Sequence, residues 1–215
     1  MKKLGLVLFP LFALLAIGLF SSQGRRAGSF TPPGTLNICD YGAGPQKSAA
    51  ANTTAIHLAV ADMTAGMTLY VPPGEFAVTE IVFDPASGTG GKGFGLVMDG
   101  TFLSDTAGVA LTIGSATGNE HNYWARGLRV VTITAAPTSW AIGGTGICLL
   151  NLMAADVSIK DVMGFTTGVK VYGYDYGVSH CTTRLGRLYQ NKTNLLLTGN
   201  ATGYVNGNSF WGGQL

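Results

Sequence analysis

The sequence predicts an all-β protein, a parallel β-helix closed at its N-terminal end by one α-helix. Three observations predict it: one amphipathic helix near the start, a long series of short apolar runs after it, and apolar patterns that recur every 21 to 26 residues. With 215 residues the chain suits one domain with a sizeable core. Only 11% of residues are charged and 32 are glycine, which describes a turn-rich chain and argues against a helical bundle or a disordered tail. Net charge is +2, and four of the 13 basic residues (Lys2, Lys3, Arg25 and Arg26) flank the first apolar segment. Nothing electrostatic therefore points to nucleic acid as a partner.

The first element is Met1-Lys2-Lys3, then an apolar run from Leu4 to Phe20, then Ser21-Ser22-Gln23-Gly24. This is the layout of a secretory signal, with Ser22 and Gly24 at the small positions before a cut after Gly24. The run is longer than a usual signal core, yet shorter than the about 20 residues of a membrane span. Pro10 also weakens a plain anchor. Residues 1–24 are expected to be a cleaved signal, with a retained anchor as the alternative and as the chain's one membrane contact. The expected location is secreted or cell surface. Residues 25–37, which hold Pro32-Pro33-Gly34, are expected to be an extended linker, and 38–215 the β-helix domain. Cys39, Cys148 and Cys181 cannot all pair, show no metal-ligand spacing, and are expected as small buried apolar residues.

A short strand at Leu36-Asn37-Ile38 leads through a glycine-rich turn into the helix. Ile56, Val60 and Met63 lie on one helical face, Asn52, Thr53 and Thr54 suit its N-cap, and Gly66 suits its stop. A single helix ahead of many strands cannot form its own core, so it is expected to lie as a lid over the end of the strands. His57 on it is expected at the surface. The strand-length apolar runs that follow are Phe76 to Phe83, Gly95 to Leu103, Val109 to Ile113, Leu128 to Ile133, Ile147 to Leu152, Val157 to Val162, Val169 to Tyr172, Val178 to Cys181 and Leu195 to Leu197. Ser87 to Gly95 is expected as a flexible loop, and residues 114–123 and 135–145 as excursions from the coil.

Repetition separates a solenoid from a sandwich. Gly108-Val109-Ala110-Leu111, Gly146-Ile147-Cys148-Leu149 and Gly168-Val169-Lys170-Val171 share one pattern, which Leu195-Leu196-Leu197 continues. Asp156-Val157-Ser158-Ile159 and Gly177-Val178-Ser179-His180 form a second, offset series. Two interleaved series are what two sheets of stacked coils produce.

Asp40-Tyr41-Gly42-Ala43, the helix with its Thr-Ala-Ile start, and Leu69-Tyr70-Val71-Pro72-Pro73-Gly74-Glu75-Phe76 resemble the N-terminal segment of the pectate-lyase superfamily of right-handed parallel β-helix proteins. Near the end, Gly203-Tyr204-Val205-Asn206-Gly207-Asn208-Ser209-Phe210-Trp211-Gly212-Gly213 resembles a coil of phage tail-spike-like β-helix proteins. The resemblance implies a right-handed solenoid and a polysaccharide partner. It does not select an activity, because the superfamily holds lyases, hydrolases, tail spikes and non-catalytic surface proteins. No second capping element follows the last coil, so either the chain is truncated or another subunit of a homo-oligomer covers that end.

Enzymes of this fold would act as polysaccharide lyases or glycoside hydrolases. A hydrolase needs two carboxylates about 5 to 10 Å apart. Asp156 and Asp161 bracket one strand and are too far apart for that, which leaves a pair between coils, Asp161 with Asp175. The densest polar and aromatic set is Tyr172, Tyr174, Asp175, Tyr176, His180, Arg184 and Arg187. Tyrosines beside Arg and His suit the apolar faces and acidic groups of a sugar chain. The candidate catalytic residues are Asp161, Asp175, His180 and Arg184. The candidate substrate-binding residues are Tyr172, Tyr174, Tyr176, Arg187 and Trp124, the last from a second set with Glu120, His121, Tyr123 and Arg126. No metal ligand and no cofactor is assigned; calcium enters only if the protein is a lyase. The alternative function is a non-enzymatic structural or attachment β-helix.

Overall fold

A computed structural model describes residues 34–84, 93–117, 120–121, 123–132 and 143–214. The expected signal or anchor at 1–24, most of the linker, most of the Ser87 loop and most of the 135–145 excursion lie outside them. In chain order the strands are β1 (Thr35–Asn37), β2 (Thr68–Val71), β3 (Glu75–Ala77), β4 (Ile81–Phe83), β5 (Gly95–Met98), β6 (Thr101–Leu103), β7 (Val109–Gly114), β8 (Glu120–His121), β9 (Trp124–Val131), β10 (Thr145–Leu150), β11 (Leu152–Met153), β12 (Asp156–Met163), β13 (Thr167–Gly173), β14 (Gly177–Ser179), β15 (Thr182–Tyr189), β16 (Thr193–Gly199), β17 (Tyr204–Asn206) and β18 (Ser209–Gln214). The described helix is α1 (Ala49–Ala61).

The strands form three sheets, and the pairings between them are parallel. The first sheet runs β1-β2-β5-β9-β12-β15-β18, with β3 and β6 joining it beside β9. The second runs β4-β7-β10-β13-β16 and the third β8-β11-β14-β17. Each turn of chain therefore adds a strand to each sheet, as in a parallel β-helix. The first strand among the described residues starts at Thr35, inside the stretch expected as linker, where Thr35 pairs with Thr68. The expected strand through Ile38 ends at Asn37, whose Oδ1 accepts the Cys39 N–H and starts a 3-10 turn, Ile38–Tyr41.

Inward side chains stack coil on coil. One column is Leu36, Leu69, Leu96, Ala125, Val157, Thr183 and Phe210 on the first sheet. Another is Ile81, Leu111, Ile147, Val169 and Leu195 on the second. Phe76, Phe83, Phe102 and Phe165 are buried among them, and burying each large apolar side chain contributes about 1.5–3 kcal/mol. Tyr123 also belongs to this core, edge-on to Phe83 with ring centres 6.0 Å apart.

The repeat expected on the second sheet is there with one shift. Ile147 lies beside Val169 and Val169 beside Leu195, but Leu111 lies beside Ile147 rather than Leu149. A slip of two residues keeps every side chain on its own face, so the apolar pattern alone does not reveal it. The offset series does not hold. Val157 lies in the first sheet beside Thr183, whereas Val178 lies in the third beside Val205. Phe76 to Phe83 likewise divides at a corner into β3 and β4, which belong to different sheets.

Helix α1 begins earlier than its candidate caps. Ser48 is the cap, its Oγ accepting the Ala51 N–H at 3.3 Å. Asn52 lies inside the helix and is wholly buried; its Oδ1 accepts the Gly44 N–H and its Nδ2 donates to the Ala77 carbonyl. Ala55, Ile56, Ala59 and Val60 form the buried face, and Met63 just past the helix is buried too. The helix packs on the 3-10 turn, β3 and β4, across the end where β1 and β4 begin their sheets. Thr53 Oγ1 accepts the Thr79 N–H at 2.9 Å, and exposed His57 accepts the Val82 N–H through Nε2 at 3.3 Å. An open amide of the edge strand β4 and one of the corner before it thus meet side chains of the lid.

Candidate ligand-binding face

The outward side of β9, β12 and β15 carries the densest charge on the molecule's described strands. Arg126 and Arg129 stand on β9, Asp156, Lys160 and Asp161 on β12, and Arg184 and Arg187 on β15. Register places Asp161 beside Arg129 on one side and Arg187 on the other. Arg129 Nε donates to Asp161 Oδ2 at 2.9 Å and Arg187 Nε to Oδ1 at 2.6 Å. Asp161 is only 3% exposed. Its burial pushes the carboxyl up, but the hydrogen bond and charge of Arg187, joined by those of Arg129, outweigh that and hold it below the usual carboxylate range.

A pair of bulges makes this ladder. Between Val157 and Asp161 the register against β9 shifts twice, at Gly127 and at Lys160. Gly127 has φ +72°, and a Cβ there would collide with the Met98 carbonyl, so glycine is required. Strict alternation would put Asp161 on the same side as Ile159, in the core. The extra residue instead turns it toward the arginines.

Aromatic side chains border the ladder. The Trp124 indole lies over Gly95, where a Cβ would enter the ring, and the Arg126 guanidinium stands 5.5 Å from the indole centre. Arg187 is 5.6 Å from the Tyr189 ring centre. Trp211, next to Arg184 in register, is 63% exposed. Arg184 Nη1 donates to Asp156 Oδ1 at 2.9 Å, both side chains being open to water.

The nine candidate residues are divided by the fold. Trp124, Asp161, Arg184 and Arg187 share this face. Tyr172, Tyr174, Asp175 and Tyr176 lie at the end of β13 and in the turn leading to β14, on another part of the coil. Tyr172 and Tyr174 have ring centres 6.0 Å apart, and Lys170 Nζ sits 3.9 Å from the Tyr172 ring. Asp175 accepts from Thr202 Oγ1 at 2.8 Å and from Asn200 Nδ2 at 2.6 Å, which together hold its carboxyl below the ordinary range. His180, at φ 55°, occupies the corner between β14 and β15. Asp161 and Asp175 thus stand on different parts of the coil with different partners, and the structure does not bring them together as a carboxylate pair.

Sequence reasoning missed Arg129, Lys160, Tyr189 and Trp211 as neighbours of the site. Their signal is a step of 26 residues from Asp161 to Arg187 and 32 from Arg129 to Asp161. The offset series pointed to 21 instead. Tyr123 of the second set is core, not ligand-facing. The three cysteines form no disulfide; burial pushes the Cys148 thiol up to about 11, against the weaker opposing charge of Lys170. Cys39 is exposed, unlike the buried residue expected there. Among the described residues no three His, Cys, Asp or Glu side chains converge as a metal site, and no helix is long and apolar enough to cross a membrane.

Fold and face together define a class: a parallel β-helix with a charged, aromatic-bordered outer sheet. Comparison with solved structures finds ORF18 of Geobacillus virus E2, with a TM-score of 0.52 at 12% identity. The match covers 82% of this chain and 41% of that one, so the chain spans less than half the length of the structure it matches. At that identity the likeness speaks for the solenoid fold. No protein-family model matches the chain, and no curated protein matches it.

Proposed function

We propose that this chain is a phage-type, pectate-lyase-like β-helix protein that binds a polysaccharide along the outward side of β9, β12 and β15. The observation that carries this reading is the Arg129–Asp161–Arg187 ladder bordered by Trp124, Tyr189 and Trp211. Planar guanidiniums offer hydrogen bonds to hydroxyl and acidic groups of sugars, and the rings offer flat apolar faces for stacking. The strands stack along the solenoid axis, so a linear glycan lying along that axis crosses β9, β12 and β15 in turn.

Binding without cleavage is the favoured form. Both oxygens of Asp161 are held by arginines, and its lowered affinity for protons makes it a poor general acid. An attachment role, as a surface or spike-like module, fits such a face.

Full-length protein is to be run in affinity electrophoresis through gels holding acidic or neutral polysaccharides, with and without calcium, while released reducing ends and unsaturated products are assayed. Retardation on at least one glycan, without new ends, is the expected result. Absence of retardation on every glycan would overturn the proposal; release of product would replace attachment by an enzymatic function.

A further inference from the structure

We infer that the face takes an anionic glycan, one bearing carboxylate or sulfate groups, and that Asp161 is a positioning residue that aims two arginines at those groups. The inference rests on the binding proposal above and specifies its ligand.

Five of the chain's 13 Lys and Arg fall on three adjacent strands, together with two of its 11 acids. Asp161 and Asp156 are both engaged in ion pairs. Arg126 and Lys160 form no ion pair among the described residues, so the patch keeps a surplus of positive charge facing solvent.

β9 and β15 flank β12, which places their backbones about 10 Å apart. Asp161 draws the two guanidiniums toward one point by their Nε edges, 2.9 and 2.6 Å away. Each arginine uses Nε for this contact, which leaves its two terminal NH2 groups as donors. The side chain of Arg187 is 57% exposed and that of Arg129 29%. Two converging forks of donors beside a buried counter-charge suit one carboxylate or sulfate, which accepts bidentate bonds from each fork. A neutral hydroxyl would leave most of those donors to water. Arg184, three residues before Arg187 on the same strand, adds a further guanidinium, bonded through Nη1 to the solvent-open Asp156.

The test uses dextran, carboxymethyl dextran, dextran sulfate and inorganic polyphosphate of matched length, immobilised or in gels, at low and high salt. Retention on both charged dextrans but not on plain dextran, weakening as salt rises, is the expected result. Arg187→Gln and the exposed Arg126→Gln should each weaken retention about tenfold. Lys47→Gln, an equal charge change on the exposed loop before α1 and off strands β9, β12 and β15, should leave it unchanged. Asp161→Asn should weaken retention although it removes a negative charge, which a purely electrostatic patch would not do. Circular dichroism of each variant verifies its fold, and Arg126→Gln alone carries the test if the ladder variants fail to fold. Equal retention on plain dextran would keep the binding proposal and overturn this inference. Retention on polyphosphate alone, or loss of none in the arginine variants, would overturn the inference as well. Failure on every glycan would remove the binding proposal itself.

Discussion

Asp161 shows how a solenoid buries a charge by tying three coils with one carboxylate. Removing it leaves two arginines that can still reach water, so Asp161→Asn is expected to lower stability by about 1–3 kcal/mol in urea denaturation. Its folded-state carboxyl lies below the ordinary range, so its contribution is present above the unfolded value, near 3.9, and is lost as pH falls through the folded one. Below about pH 4 the gap between wild type and Asp161→Asn should therefore narrow; a gap that widens in acid would contradict the assignment. The turn asparagines work in the same currency of satisfied hydrogen bonds. Asn151, fully buried, accepts the Tyr174 N–H at 2.7 Å and donates to the Ser115 carbonyl at 2.8 Å, so it bridges the coils on either side. Asn191 and Asn208 also accept and donate at once, each to the backbone of the coil before it. Asn151→Ala strands a buried donor and acceptor and should cost about 2–4 kcal/mol, read as a shift in the urea midpoint. Nothing in the sequence separates these asparagines from ordinary turn residues. Asn52-Thr53-Thr54, Asn191-Lys192-Thr193 and Asn200-Ala201-Thr202 read locally as glycosylation acceptors, yet all three asparagine side chains are engaged, Asn52 from the lid to β3 and the other two between coils.

At the level of the element, α1 was the most legible part of the chain because its apolar spacing is set by the helix's own geometry. Its start was less so. Three good capping residues lie inside the helix: Asn52 and Thr53 find tertiary partners in Gly44, Ala77 and Thr79, and Thr54 donates its hydroxyl to the Ala50 carbonyl one turn back. Ser48→Ala should remove the true cap at a cost of about 1 kcal/mol. The lid's contact with the sheet edge has its own readout: in the Thr53→Ala/His57→Ala variant the amides of Thr79 and Val82 should exchange with solvent faster, while those of Leu111 and Ile147 in the interior strands keep their rates. Unchanged exchange at Thr79 and Val82 would show that the helix does not protect that edge.

At the level of the whole molecule, stacking makes each coil depend on its neighbours. Val171 and Leu197 are register partners on consecutive coils, yet Val171 is 1% exposed and Leu197 48%. Val171→Ala should cost about 2 kcal/mol, and Leu197→Ala only about 1 kcal/mol despite its larger side chain. A larger loss at Leu197 than at Val171 would mean that something covers that coil in solution.

The chain by itself determined the class of fold: one helix, short apolar runs and a recurring pattern on the second sheet, all signals that travel within a few residues or within one sheet. Which side chains meet was decided only by the tertiary structure. Neighbours across the first sheet stand 26 residues apart at one coil and 32 at another, because the excursions between strands differ in length. Residues such as Tyr174 and Arg184, ten apart along the chain, are separated by two corners, whereas Arg129 and Arg187 meet at one carboxylate. The bulge at Lys160 then decided which way Asp161 faces, and the one at Gly127 which way Arg129 faces, since in a strand one inserted residue exchanges the core side for the solvent side.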